Sequence, residues 1–200
     1  MSLSNRSKGC HGLVLAAGAA QRFGGAKLLA PFRDQPLVTW TAKAALAAKV
    51  ESVTVVVGAA AEAVEDALLP LAQARLRSVR CADWRDGLSA SLRCGLTTLP
   101  TDCRAVLIFL ADMPNVSVQL GDEALELVLK GAPAAWPVFA GVPGHPVAIS
   151  ANLLAPLQRL EGDRGARTIL AGLPGIAHIE TTDVGCIQDV DTQDDLRGLF

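Results

Sequence analysis

The sequence has no surplus of positive charge: 18 Lys and Arg face 20 Asp and Glu, a formal net charge of −2. Binding duplex nucleic acid relies on clustered Lys and Arg, so nucleic acid is not an expected partner, although a local positive pocket is still allowed. Paired cysteines are also missing. Cys10, Cys81, Cys94, Cys103 and Cys186 are odd in number, scattered, and form no C-x-x-C pair. That pattern argues against a disulfide framework or a structural zinc site, and the thiols read as reduced, mostly buried side chains of a cytoplasmic protein. The histidines His11, His145 and His178 stand alone, and no H-E-x-x-H occurs, which argues against a metal centre built on imidazole. No Ser-His-Asp logic assembles, since Ser89 lacks a nucleophile-elbow context. No run is long and apolar enough to span a membrane. Arg6 and Lys8 ahead of the apolar residues 13–20 imitate a secretory leader. The glycines and Lys27 that follow make a buried first strand the better reading.

What the chain does have is apolar bulk. Half of its 200 residues are hydrophobic and 19% are charged, enough for a packed core in one domain. Residues 1–10 read as a flexible tail and 11–200 as a single domain. Short apolar runs at 13–17, 53–57 and 105–111, and a weakly alternating stretch at 75–81, read as strands. Between them lie helical patterns at 36–48, with Leu37, Trp40, Ala44 and Ala48 on one face, at 60–69, and at 88–99 with Ser89 as its cap. A further helix, 117–130, is capped by Ser117. This alternation predicts an α/β domain with a mostly parallel sheet covered on both faces. After Lys130 the grammar changes. Strands at 134–139 and 147–150 flank a Gly/Pro turn, short helices are expected at 151–160 and 164–173, strands at 176–181 and 187–190, and a last helix, 192–199, is capped by Thr192.

Three segments carry chemistry. The first is the glycine-rich turn Leu15-Ala16-Ala17-Gly18-Ala-Ala-Gln-Arg22-Phe-Gly24-Gly25-Ala-Lys27. After a strand, such a turn offers backbone N–H groups to phosphate, and Arg22 and Lys27 add charge. It is neither a Walker A loop, since Lys27 follows Ala26 and precedes Leu28, nor a G-x-G-x-x-G fingerprint, since position 20 is alanine. The second is Asp112, directly after the most apolar strand, where ligands of open α/β sheets sit. A lone carboxylate there suits Mg²⁺, which takes few protein ligands. The third is Asp189-Val-Asp191-Thr-Gln-Asp194-Asp195. If a strand persists, Asp189 and Asp191 share a face and repel unless a cation lies between them. Asp194 and Asp195 fit the first turn of the last helix.

Weaker signals are Ser89, Ser91 and Arg93 at a helix start, which could cap it or hold a base or ribose edge. Gly144-His145-Pro146 is a tight turn with a histidine suited to contacting substrate or holding structure. Arg164 and Arg167 stand beside a glycine turn and could bind an acceptor phosphate.

In order along the chain, Leu15 to Lys27, Gly87-Leu-Ser-Ala-Ser-Leu-Arg93, Ala111-Asp-Met-Pro114, Gly144-His-Pro-Val147, Gly162-Asp-Arg-Gly-Ala-Arg167 and Asp189-Val-Asp-Thr192 resemble the molybdenum cofactor nucleotidyltransferases. The match is nearest to their cytidylyltransferase branch, and it runs from about residue 12 to 199. The family opens with L-A-A-G-x-S-x-R-x-G-x-x-K, and here Ala20 replaces the usual serine while every glycine and both cations are kept. Gln193 stands where proline is frequent. The resemblance implies a Rossmann-like, three-layer nucleotidyltransferase fold with a mixed sheet. It also implies CTP as donor, molybdenum-carrying molybdopterin as acceptor, pyrophosphate as leaving group, and Mg²⁺ (Mn²⁺ as the alternative) as cofactor, with a client molybdoenzyme as a further partner. Ala17 is the spelling that goes with cytidine rather than guanine nucleotides.

The catalytic residues so implied are Lys27, Arg22 and Asp112. Nucleotide binding falls to Leu15, Ala16, Ala17, Gly18, Arg22, Gly24, Gly25, Lys27, Ser89, Ser91 and Asp112. The metal falls to Asp112 and Asp191, with Asp189 the alternative, and the acceptor to His145, Arg164 and Arg167. Rival readings are the same fold acting on a sugar phosphate, a phospholactate-type acid or a polyol phosphate, or using GTP. Another is a non-catalytic protein that holds and inserts the finished cofactor. A nicotinamide-binding oxidoreductase ranks last, for want of G-x-G and of an acidic residue after the second strand.

Overall fold

A computed structural model describes residues 7–159, 170 and 172–199. β1 (Cys10–Ala16) leads through a small hairpin, β2 (Pro31–Phe32) and β3 (Gln35–Pro36), into α1 (Leu37–Ala47). Then follow β4 (Ser52–Val57), α2 (Ala61–Leu68), β5 (Leu76–Arg80), α3 (Leu88–Leu96), β6 (Ala105–Leu110) and α4 (Val118–Leu129). The later chain holds β7 (Ala134–Phe139), β8 (Val142–Pro143), β9 (Val147–Ser150), a short helix Leu154–Leu157, β10 (Ala177–Thr181) and a terminal helix Gln193–Gly198.

The sheet order is β10-β7-β9-β6-β1-β4-β5, with β8 paired to β7. β5, β4, β1 and β6 run parallel. β9 is antiparallel to both β6 and β7, and β10 runs parallel to β7. β1 lies inside the sheet, between β6 and β4, and all seven of its residues are buried, as expected of a strand covered on both faces. Its side chains alternate between two cores. Val14 and Ala16 pack with Val38, Ala42 and Ala45 of α1 and Ala124 and Leu125 of α4, while Leu13 and Leu15 pack with Ala90, Leu92 and Leu96 of α3. Helices on both faces of a mixed sheet make the three-layer Rossmann-like architecture that the strand–helix alternation and the family resemblance predicted. No helix among the described residues is long and apolar enough to cross a membrane.

The arrangement places the site. From β1 the chain moves outward to β4 and β5, then returns to the other side of β1 as β6, so a crevice opens beyond the carboxyl ends of β1 and β6. Those ends carry Ala16 and Leu110, after which the glycine-rich turn and Asp112 begin.

Several expectations are corrected. The predicted tail extends through residue 10, yet the Ser7 amide donates to the Lys49 carbonyl at 3.0 Å and Cys10 already pairs with Ala105; residues 1–6 lie outside the described residues. The buried face of α1 includes Val38, Thr41, Ala42 and Ala45, whereas Trp40 and Ala44 are half-buried. Trp40 turns its indole N–H to the Phe32 carbonyl at 2.9 Å, a bond made available by the unforeseen β2–β3 hairpin. Residues 187–190 form no strand, because both edges of β6 are already taken by β1 and β9. The segment instead docks end-on, the Val190 amide donating to the Asp112 carbonyl at 3.0 Å. Ser117 does cap α4, accepting from the Leu120 amide. The terminal helix is closed by a capping box between Thr192 and Asp195. The helix expected at 164–173 falls largely outside the described residues.

At the opposite end of β1, His11 is 5% exposed. Its Nδ1 pairs with the Ser52 hydroxyl at 2.8 Å, and its Nε2 is buried without a hydrogen-bond partner. Burial lowers its pKa from 6.5, against the opposing pull of Glu51 and Asp102. The unfolded chain therefore binds the proton more readily, and the neutral ring's contribution to stability is fully present above pH 6.5 and lost as acid takes the pH through 6.5 toward the folded value. Melting temperatures measured between about pH 5 and 7.5 should fall more steeply with acid for the wild type than for His11→Gln. Parallel curves would show that His11 carries none of the acid sensitivity.

Candidate active site

β1 delivers the glycine-rich turn to the crevice. The Ala111 amide donates to the Leu15 carbonyl at 3.1 Å, and the Ala59 amide to the Ala17 carbonyl at 3.1 Å. The second anchor requires a close approach at Gly58, where a Cβ would lie 2.5 Å from the Ala17 oxygen and 2.8 Å from the Trp84 Cβ. Beyond Gly18 the backbone turns back on itself, with Ala20 at φ +50° and Gly24 at φ +80°. Glycine adopts that region readily, whereas alanine does so at a steric cost. The turn ends in a single 3-10 turn, Lys27–Leu29, which brings the Lys27 side chain inward until only 10% of it is exposed.

There Lys27 meets two carboxylates from distant parts of the chain. Its Nζ donates to Asp112 Oδ2 at 2.8 Å and to Asp191 Oδ1 at 3.2 Å, and Arg22 Nη2 lies 2.8 Å from Asp191 Oδ2. Each carboxylate is held from behind. The buried Thr41 hydroxyl lies 3.2 Å and 3.1 Å from the carbonyls of Ala111 and Met113, fixing the bend on which Asp112 sits. Asp195 Oδ2 accepts from the amides of Asp191 and Thr192 at 3.0 and 2.7 Å, so the helix cap also fixes the backbone of Asp191. Asp189 takes no part in these ion pairs; partial burial and the neighbouring charges of Asp112 and Asp191 push its carboxyl above the ordinary aspartate range.

A divalent ion fits these residues. Asp112 Oδ1 is buried and accepts no hydrogen bond among the described residues, and a cavity of about 80 Å³ is bounded by Lys27, Asp112 and the glycine turn. Among the described residues no cluster of three or more His, Cys, Asp or Glu is placed to hold a metal. Two carboxylates are the set Mg²⁺ commonly takes when phosphate and water complete its shell.

Beside the charged cluster opens a pocket of about 730 Å³. Leu15, Ala17, Gly18, Arg22, Lys27 and Asp191 line one side, and Trp84, Arg85, Gly87 and Ser91 the other. Ala16 and Gly25 face a smaller adjoining cavity. Ser91 is thus at the pocket, but Ser89 is not. α3 begins after Gly87, at φ +96° and with no side-chain cap, so Ser89 lies inside the helix, fully buried, within 3.3 Å of Arg93 Nη1. His145 does not line this pocket either. Its amide donates to the Cys186 carbonyl at 2.7 Å, tying its turn to the segment that leads to Asp189. Arg164 and Arg167 lie outside the described residues.

Sequence reasoning missed Thr41, Trp84 and Arg85. Arg85 stacks its guanidinium 4.4 Å from the centre of the Trp84 ring and adds a third cation to the pocket wall. An aromatic–arginine pair in the loop just before Gly87 was the available signal.

Comparison with known proteins agrees with this architecture. The MobA-like NTP transferase domain matches residues 12–181. Nicotine blue oxidoreductase of Paenarthrobacter nicotinovorans is 32% identical, over 94% of this chain and 95% of its own. Molybdenum cofactor cytidylyltransferase of Escherichia coli is 24% identical, over 92% and 91%. The crystal structure of Rv0371c from Mycobacterium tuberculosis in complex with manganese superposes with a TM-score of 0.77 at 27% identity, covering 95% of this chain and 97% of that one. A glycine-rich turn after β1, a lysine clasped by two carboxylates and a match across most of the length place this chain in the MobA-like NTP transferase family.

Proposed function

We infer that this nucleotidyltransferase transfers CMP from CTP to the phosphate of a molybdopterin-type acceptor, with a divalent ion, Mg²⁺ or Mn²⁺, as cofactor. The observation that carries the reading is the meeting of Lys27, Arg22, Asp112 and Asp191 beside a pocket large enough for a nucleotide. The similarity to the Escherichia coli cytidylyltransferase supports the choice of donor and acceptor.

In this reading the amides around Gly18 and Gly24, with Arg22 and Lys27, take the triphosphate, and Ser91 and Ala17 face the nucleoside. The acceptor phosphate is already an anion, so its oxygen attacks the α-phosphorus without a general base. The new P–O bond forms as the bond to the bridging oxygen breaks, and pyrophosphate leaves with that electron pair. Alignment and charge neutralisation are then the chain's whole contribution. Asp112 and Asp191 are the residues that would hold the ion, whose chemistry is to neutralise phosphate oxygens as charge shifts. Arg22 and Lys27 stabilise charge gathering on the leaving pyrophosphate. His145, Arg164 and Arg167 are assigned to the acceptor.

A second reading follows from nicotine blue oxidoreductase, which is more similar in sequence than the cytidylyltransferase. Under it, the pocket takes a heteroaromatic substrate and a redox cofactor. One panel separates the two. CTP, GTP, ATP and UTP are each supplied with molybdopterin acceptor and scored for pyrophosphate, alongside NADH and NADPH oxidation with a quinonoid dye. Pyrophosphate from CTP alone is expected. Nicotinamide oxidation without pyrophosphate would replace the transferase reading.

A further inference from the structure

We propose that Lys27 is a built-in stand-in for the divalent ion: its ammonium holds Asp112 and Asp191 together until nucleotide phosphates draw it away, so that cation and nucleotide bind well together and poorly apart. The proposal rests on the reading of Asp112 and Asp191 as the cation-holding pair and adds to it an order of events.

The charge balance argues for this. Two carboxylates are met within hydrogen-bonding distance by two cations, Lys27 at 2.8 and 3.2 Å and Arg22 at 2.8 Å. These four groups cancel one another's charge while Asp189 and Asp195 leave the surroundings acidic, so what opposes a dication is the ammonium that already sits on one oxygen of each carboxylate. With the Lys27 side chain only 10% exposed and those of Asp112 and Asp191 at 24% and 30%, solvent screening of that repulsion is incomplete. Asp112 Oδ1 nevertheless stays buried and without a hydrogen bond, so ligand capacity is held in reserve rather than used up.

Both cations ride on the same glycine-rich turn, and between them Gly24 sits at φ +80°, where glycine allows the backbone to readjust at little steric cost. A triphosphate entering the pocket brings several negative charges to Arg22 and Lys27 and removes the two groups that neutralise the carboxylates. Linkage then requires the reverse effect as well: the bound cation must raise nucleotide affinity by the same factor.

The test is a nucleotide-free Mn²⁺ titration, followed by Mn²⁺ electron paramagnetic resonance, of the whole chain and three variants. Lys27→Gln should bind Mn²⁺ at least ~10-fold more tightly than wild type, within the usual range of coupling between sites. Lys27→Arg, which keeps the charge, should stay weak, and Lys27→Gln combined with Asp112→Asn should lose the gain. Equal affinity of Lys27→Gln and wild type overturns the proposal. Should the lysine variants fail to fold, wild-type protein gives a second measurement. Acylation of Lys27 by an amine-reactive ester, mapped by mass spectrometry against Lys49, should accelerate in millimolar Mn²⁺, and unchanged protection overturns the proposal equally.

The two failures are distinguishable. If Lys27→Gln gains nothing while Asp112→Asn still abolishes pyrophosphate release, the stand-in role falls and the transferase site remains. If Asp112→Asn changes neither Mn²⁺ binding nor turnover, both fall together.

Discussion

Asp112→Asn is expected to lower pyrophosphate release by about 10²–10³-fold or more, the scale of losing a preorganised electrostatic contact in an active site, while leaving the fold unchanged. Asparagine has nearly the shape of aspartate and keeps an oxygen to accept from Lys27 Nζ, now 2.8 Å from Asp112 Oδ2. The Ala111 and Met113 carbonyls still meet the Thr41 hydroxyl, and the Asp112 carbonyl still accepts from Val190. What disappears is one negative charge and the buried oxygen Oδ1, which accepts nothing among the described residues. Lys27 keeps Asp191 as its charge partner at 3.2 Å, so the melting temperature should move little. Steady-state kinetics with Mg²⁺ and a thermal melt on the same preparation decide the matter. Near-normal turnover removes Asp112 from the chemistry.

Lys27→Ala is the second large effect, expected to cost at least ~10-fold in kcat if its charge stabilises the departing pyrophosphate. The loss should be larger in kcat/KM than in kcat, because Lys27 also takes the triphosphate before the reaction. This variant should also be less stable, since Asp112 and Asp191 lose the ammonium between them. Coupled with the Mn²⁺ titration, it gives an uncommon signature: tighter cation binding together with slower turnover. An unchanged rate would leave Lys27 a purely structural clasp.

Much of the frame was legible in the residues. Continuous apolar runs at β1, β4 and β6 bounded by glycine or proline betrayed strands buried on both faces, and the acidic residue after β6 stood where the topology opens a crevice. Ser117 and Thr192 were readable because a cap is a local bargain between one side chain and the next turn. The errors share a different origin. Whether residues 187–190 pair as a strand depends on whether β6 has a free edge, which only the return of β9 decides. Trp84 and Arg85 reach the pocket because β5 lies two strands from β1 with Gly58 between, a distance that no local pattern encodes. Ser89 fails as a cap for a local reason: Gly87 at φ +96° takes the cap position two residues earlier, and burial then takes the hydroxyl away from solvent.

One consequence of the Lys27–Asp191 contact concerns biogenesis. The two residues are 164 positions apart, and Val190, which docks beside Asp112, belongs to the same late stretch. During translation the nucleotide half can therefore collapse around β1 and β6 long before its second carboxylate has been made. Until then the emerging polypeptide carries a glycine turn whose lysine has only one acid to hold. Long-range closure of this kind is slow to find, and it makes the final stretch of chain a checkpoint: a truncated product would look folded by circular dichroism and yet be inert.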